Sequence, residues 1–230
     1  MPELNNIQTY EKLNGNDFKP SIEKFAKVLK RIGVWNAEIK KDFESLKWKV
    51  EDNGFVYFSN SDSGFHKTLF SEIKVRPLVM AWTPAIDKTF KDNWISCDLL
   101  IETETIRNFE NGNYKESTFE FIKKLVKEMA MEFDETGIYF TDEAQDGEDF
   151  DGIRATDRNK IWNFDYALIP KKLKELYGEK PNNYKINESD NWIETWNSDN
   201  WNEKNKSTNA QQCITAITAD STTSESTRNC

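Results

Sequence analysis

Three adjoining stretches decide how this chain is read. The first is Gly137-Ile138-Tyr139-Phe140-Thr141. The second is the run Asp142-Glu143-Ala144-Gln145-Asp146-Gly147-Glu148-Asp149-Phe150-Asp151. The third is Ile161-Trp162-Asn163-Phe164-Asp165-Tyr166-Ala167-Leu168-Ile169-Pro170. The first predicts a strand. In the third, Trp162, Phe164, Tyr166 and Leu168 alternate with Asn163, Asp165 and Ala167, the period of a half-buried antiparallel strand. Pro170 stops that strand and opens a short helix anchored by Leu173, Leu176 and Tyr177 and closed by Gly178. Between the two strands, the run 142–151 holds six carboxylates and no base.

Upstream, Ser117 and Glu120 are spaced as a capping box. Phe119, Ile122, Leu125, Val126, Met129 and Phe133 then recur at helical spacing. A second helix is expected from Ser21, with Ile22, Phe25, Val28, Leu29 and Ile32 on one face and Gly33 as its C-terminal cap. A short one is expected from Asn36 to Leu46. From Lys47 to Pro84 the period falls to two, which predicts strands at 47–51, 55–58 and 73–82, and 94–101, apolar on both faces near its end, reads as a further, central strand. Together these elements predict an α+β fold, a mostly antiparallel sheet with helices packed on one face.

Residues 1–20 read as a loosely held leader, 21–205 as a single α+β domain, and 206–230, poor in large apolar side chains, as a disordered tail. Residues 190–202 form a Trp-rich arm in which a helical turn would place Trp192 and Trp196 on one face. Packing of these indoles across the sheet is favoured over an exposed motif.

Composition limits the function classes. Charged residues make up 31% and no apolar run approaches the roughly 20 residues of a membrane span. The first residues lack the basic and apolar regions of a signal peptide, so a cytoplasmic location is expected. Cys97 reads as a small buried side chain, and three scattered cysteines are neither a disulfide framework nor a zinc site. The net charge is −9, of which the 142–151 run supplies −6, leaving −3 elsewhere. Charge of that sign opposes direct nucleic-acid binding and favours a cationic partner.

The acidic run keeps three readings: a solvated loop, a metal site and a partner surface. Neither register of an EF-hand fits, because Ala144 and Ile153, or Gly147 and Arg158, would fall where carboxylates are needed. As a partner surface it offers Asp142, Glu143, Asp146, Glu148, Asp149, Phe150 and Asp151, with Asp157 and Trp162 beside it; clustered carboxylates pair with Arg and Lys. His66 is the sole imidazole. It reads as a surface or loop side chain, and a Cys97–His66 dyad has no spacing to select it. No phosphate-binding glycine loop is present. No catalytic residue, cofactor or metal ligand is assigned.

The helix at 117–133, the strand at 137–141, the acidic loop and the Trp162–Pro170 strand together resemble, in size, acidity and layout, bacterial immunity proteins that neutralise polymorphic or contact-dependent toxins. The resemblance covers about residues 100–190 and carries no residue roles across. It implies a cytosolic protein that binds one toxin, with no catalysis of its own. The leading expectation is a non-catalytic protein that neutralises a basic protein partner, such as a nuclease toxin, through an acidic, aromatic-edged surface. One alternative is a metal-dependent hydrolase using the acidic loop. The other is a phage or mobile-element inhibitor that mimics nucleic-acid charge.

Overall fold

The computed structural model describes residues 3–50, 56–57, 64–85, 91–108, 110, 112–142 and 161–201. The strands are β1 (Leu4–Lys12), β2 (Lys49–Val50), β3 (Val56–Tyr57), β4 (His66–Thr68), β5 (Ser71–Trp82), β6 (Trp94–Glu102), β7 (Ile138–Asp142), β8 (Tyr166–Pro170), β9 (Tyr184–Glu188) and β10 (Trp192–Asn197). The helices are α1 (Lys19–Ile32), α2 (Ala37–Ser45), α3 (Thr103–Ile106) and α4 (Glu116–Ala130), with a 3-10 helix at Lys171–Leu176. The strands join one sheet in the order β2-β3-β5-β6-β1-β7-β8-β10-β9, with β4 beside β5. Every pairing is antiparallel. The fold is therefore α+β with an antiparallel sheet, as the periodicities predict.

The segment expected to be a loose leader is instead the central strand. β1 pairs with β6 from Leu4↔Glu102 to Lys12↔Trp94 and with β7 from Asn5↔Asp142 to Thr9↔Ile138. Its apolar residues, Leu4, Ile7 and Tyr10, recur every third position, so neither a strand nor a helix period stands out. Burial on both faces is made tolerable by side-chain hydrogen bonds from Asn5, Gln8 and Thr9, as buried polar groups require.

One face of the sheet carries the α-helices. Ile7, Ile95, Cys97, Leu99, Ile101, Ile138 and Phe140 meet Phe25 and Leu29 of α1 and Ile122, Leu125, Val126 and Met129 of α4 in one buried cluster. Each such side chain contributes roughly 1.5–3 kcal/mol on burial. The opposite face holds a smaller, ring-rich cluster: Tyr10, Trp94, Tyr139, Phe164, Tyr177 and Tyr184, with Leu173 of the 3-10 helix.

Several ends differ from expectation. α1 starts at Lys19 with Pro20 in its first turn, and Asp17 Oδ1 accepts from the Lys19 N–H at 3.3 Å, so Ser21 lies inside the helix and is not its cap. The Ser117–Glu120 capping box does not form: α4 begins at Glu116, and Thr118 Oγ1 donates instead to the Ile106 carbonyl at 3.0 Å. Gly33 does cap α1, at φ 82°. The 190–202 arm is a strand, not a helical turn. A spacing of four puts Trp192 and Trp196 on one side in either geometry, and Ile193 and Thr195 favour the strand. Both indoles pack against the helix-face core, and Trp201 is buried. No helix among the described residues is long and apolar enough to cross a membrane.

Candidate functional site at the root of the acidic connection

β7 and β8 are neighbours in the sheet, paired from Ile138↔Leu168 to Phe140↔Tyr166. The acidic run therefore lies on the connection between two adjacent buried strands. It leaves the sheet at Asp142 and returns through Ile161 and Trp162. Of the residues expected to bind a partner, Asp142 and Trp162 are described. Glu143, Asp146, Glu148, Asp149, Phe150, Asp151 and Asp157 lie outside the described residues.

The returning segment is not the strand its alternation suggests. β8 starts only at Tyr166. Trp162 and Phe164 join the ring-rich cluster, whereas Tyr166 and Leu168 join the helix-face core. The alternation breaks at Asp165, whose N–H donates to the Phe140 carbonyl at 2.9 Å and whose carbonyl accepts from Asn197 N–H (3.0 Å) and Trp201 Nε1 (2.8 Å).

The Asp165 carboxylate is the hub of a polar network. The Tyr114 hydroxyl and Asn200 Nδ2 donate to its two oxygens. Arg107 Nη2 lies 3.5 Å from Oδ2 and donates to the Tyr114 hydroxyl at 2.8 Å. Asn5 Nδ2 reaches the same hydroxyl at 3.2 Å. The Arg107 guanidinium sits 4.6 Å over the Tyr114 ring, and Trp201 stacks on that ring at 4.2 Å. Burial pushes the Asp165 carboxyl up. Its hydrogen bonds and Arg107 oppose that, the charge of Asp142 adds to it, and the net is upward. Burial and the Asp165 charge push the Tyr114 phenol well up. Burial opposes the charge on Arg107, but Tyr114, Asp165 and Asp142 outweigh it and raise its pKa. The network thus ties β1, Arg107, Tyr114, the residue just before β8 and the 197–201 turn together close to Asp142, where the acidic run starts. Its chemistry is that of a lock.

Trp162 is held on the other side. Its Nε1 donates to the Tyr177 carbonyl at 3.0 Å, and its ring meets Tyr177 and Tyr184 edge-on at 5.8 and 5.2 Å. The Tyr184 hydroxyl in turn donates to the Phe164 carbonyl at 2.6 Å. The indole is an anchor with one part still exposed. That part walls a groove of about 590 Å³ beside Glu175, Leu176, Glu179 and Pro181. Gly178, at φ 60°, turns the chain so that Glu179 and Pro181 come back beside Trp162.

The remaining features carry less chemistry. His66 lies on β4, its Nδ1 3.3 Å from Asn36 Nδ2. Cys97 is buried in the helix-face core, which pushes its thiol well up, and no hydrogen bond joins it to His66. No group of three His, Cys, Asp or Glu among the described residues is placed to hold a metal ion. The roles of Arg107, Tyr114 and Asn200 escape sequence reading, because each sits alone in a polar stretch. Glu175 and Glu179 had a faint signal, two carboxylates flanking a Tyr-Gly helix end. No protein-family model, no curated protein and no solved structure matches this chain.

Proposed function

We propose that this chain is a non-catalytic binding protein that neutralises a cationic protein partner, in the manner of an immunity protein against a bacterial toxin such as a nuclease. The observation that carries the reading is the placement of charge. Six of the nine net negative charges fall within ten residues, on a connection between two adjacent buried strands. Elsewhere, large acidic side chains are spent on internal pairs: Glu128 and Glu132 on Arg31, Glu194 on Lys123 and Asp165 on Arg107. A net excess of negative charge concentrated in so short a run, which starts at Asp142 at the end of β7, suits electrostatic steering of a basic surface.

The test is binding and protection together. Co-expression with a basic toxin encoded beside it should restore growth, and the purified pair should form a complex whose association slows as salt rises. The Asp146→Lys/Glu148→Lys/Asp149→Lys variant should lose both. Protection that survives this variant, or a complex indifferent to it, sinks the reading.

A further inference from the structure

Among the described residues, the lysines nearest the Trp162 groove are engaged with groups other than its carboxylates. Lys174 is paired with Glu188 at 2.6 Å, and Lys171 approaches the same carboxylate at 3.8 Å. Lys172 faces Asp134 at 3.7 Å. Lys180 Nζ donates to the Pro181 and Tyr184 carbonyls at 2.9 and 2.7 Å. Glu175 and Glu179 are exposed and have no ion pair or hydrogen bond among the described residues. The groove therefore sets two carboxylates that make no ion pair among the described residues beside a half-exposed indole, whose orientation is fixed by Tyr177, itself part of the groove wall, and by Tyr184.

We infer that this groove is a receptor for an arginine side chain presented by the partner protein. A guanidinium is planar, stacks on an indole and offers paired N–H donors to a carboxylate, and it sheds water more readily than an ammonium. Leu176 and Pro181 would cover the methylene stem, as long basic side chains lay their stems on apolar surface. The inference rests on the proposed binding function and adds a second contact to it. The acidic run supplies long-range attraction, and the groove supplies a fixed point of recognition.

The closing experiment uses the full chain and the dipeptide Ac-Arg-Arg-NH2. Binding is followed at the Trp162 indole N–H in ¹H–¹⁵N spectra, assigned through Trp162→Phe. The peptide should shift that resonance saturably. The citrulline analogue, equal in shape but uncharged, should not. The double variant Glu175→Gln/Glu179→Gln should weaken binding about five- to tenfold, the scale of two exposed charge contacts. A shift unaltered by the double variant, or matched by citrulline, overturns the inference. A basic toxin that is still neutralised with unchanged affinity by the double variant overturns it too, and leaves the binding function standing. Saturable arginine binding in a chain that protects against no toxin supports the groove and removes the function proposed above.

Discussion

The helix-covered half of the sheet and the segment from Ile161 to Trp201 solve the same problem in opposite ways. Under α1 and α4 the interior is mainly aliphatic and phenyl, and the ion pairs of Arg31 lie at its rim. There Arg31 bridges the two helices, with Nε 2.8 Å from Glu128 Oε2, Nη1 2.6 Å from Glu132 Oε1 and Nη2 2.7 Å from the Glu128 carbonyl. In the C-terminal segment the polar atoms are inside. Asp165, Glu194, Tyr166, Tyr177 and Tyr184 carry buried or half-buried hydrogen bonds, that of Tyr177 reaching Tyr139 of β7. A rim charge trades one hydrated state for another and gains little. An interior one must be fully satisfied or it costs several kcal/mol. The difference means that the C-terminal segment is the part of the molecule where single atoms decide whether the acidic connection has a firm root.

The largest test of that contrast removes the hub. Asp165→Ala strands Arg107, Tyr114 and Asn200, and should cost about 3–5 kcal/mol in urea unfolding. Arg31→Ala at the rim should cost no more than about 1 kcal/mol. Equal losses would erase the distinction between the two regions. A smaller step sharpens it. The Tyr139 hydroxyl accepts from Gly137 N–H at 3.1 Å and is bonded to the Tyr177 hydroxyl. Tyr139→Phe leaves a buried N–H without its acceptor and should cost about 1–3 kcal/mol. With Tyr177→Phe it should show a coupling energy in a double-mutant cycle.

The two regions should also answer pH with opposite signs. For Glu132, burial works to raise the pKa, but the hydrogen bonds and charges of Arg31 and Lys27 prevail and hold it below the usual range. Its contribution is full above the unfolded value of about 4.3 and is lost as pH falls through the folded one. Asp165 has a raised pKa, so its contribution is full below about 3.9 and is lost as pH rises through the folded value. The deficit of Glu132→Gln should therefore shrink on acidification from pH 7 to 3. The deficit of Asp165→Asn should grow over the same range. Unfolding curves of the three proteins across that range check it, and parallel trends would contradict the assigned directions.

The same contrast explains which elements the sequence declares by itself. A face that buries only hydrocarbon declares itself by period. Phe25, Val28, Leu29 and Ile32 place α1, and Ile122, Leu125, Val126 and Met129 place α4. β1 hides because its buried positions include the polar Asn5, Gln8 and Thr9, whose partners are more than a hundred residues away. The Trp162–Leu168 alternation is genuine in the sequence. It misleads because Asp165 spends both its backbone and its side chain on hydrogen bonds that bend the chain between Phe164 and Tyr166. Charge excess is legible at Asp142–Asp151. The unpaired state of Glu175 and Glu179 is not, because it depends on where four lysines turn.

The smallest expected effect is the most informative for function. Glu175→Gln/Glu179→Gln touches no hydrogen bond or ion pair among the described residues, so unfolding free energy should stay within about 0.5 kcal/mol of the parent. Any change should be a gain, since two like charges at one groove repel each other, and should fade at high salt. Residues kept for the fold behave otherwise, as Asp165 does. If the double variant proved clearly destabilised, Glu175 and Glu179 would belong with the interior lock, and the groove would lose its standing as a surface left open for another molecule. A neutral result leaves them with no part in holding the fold, as a surface kept open for another molecule requires.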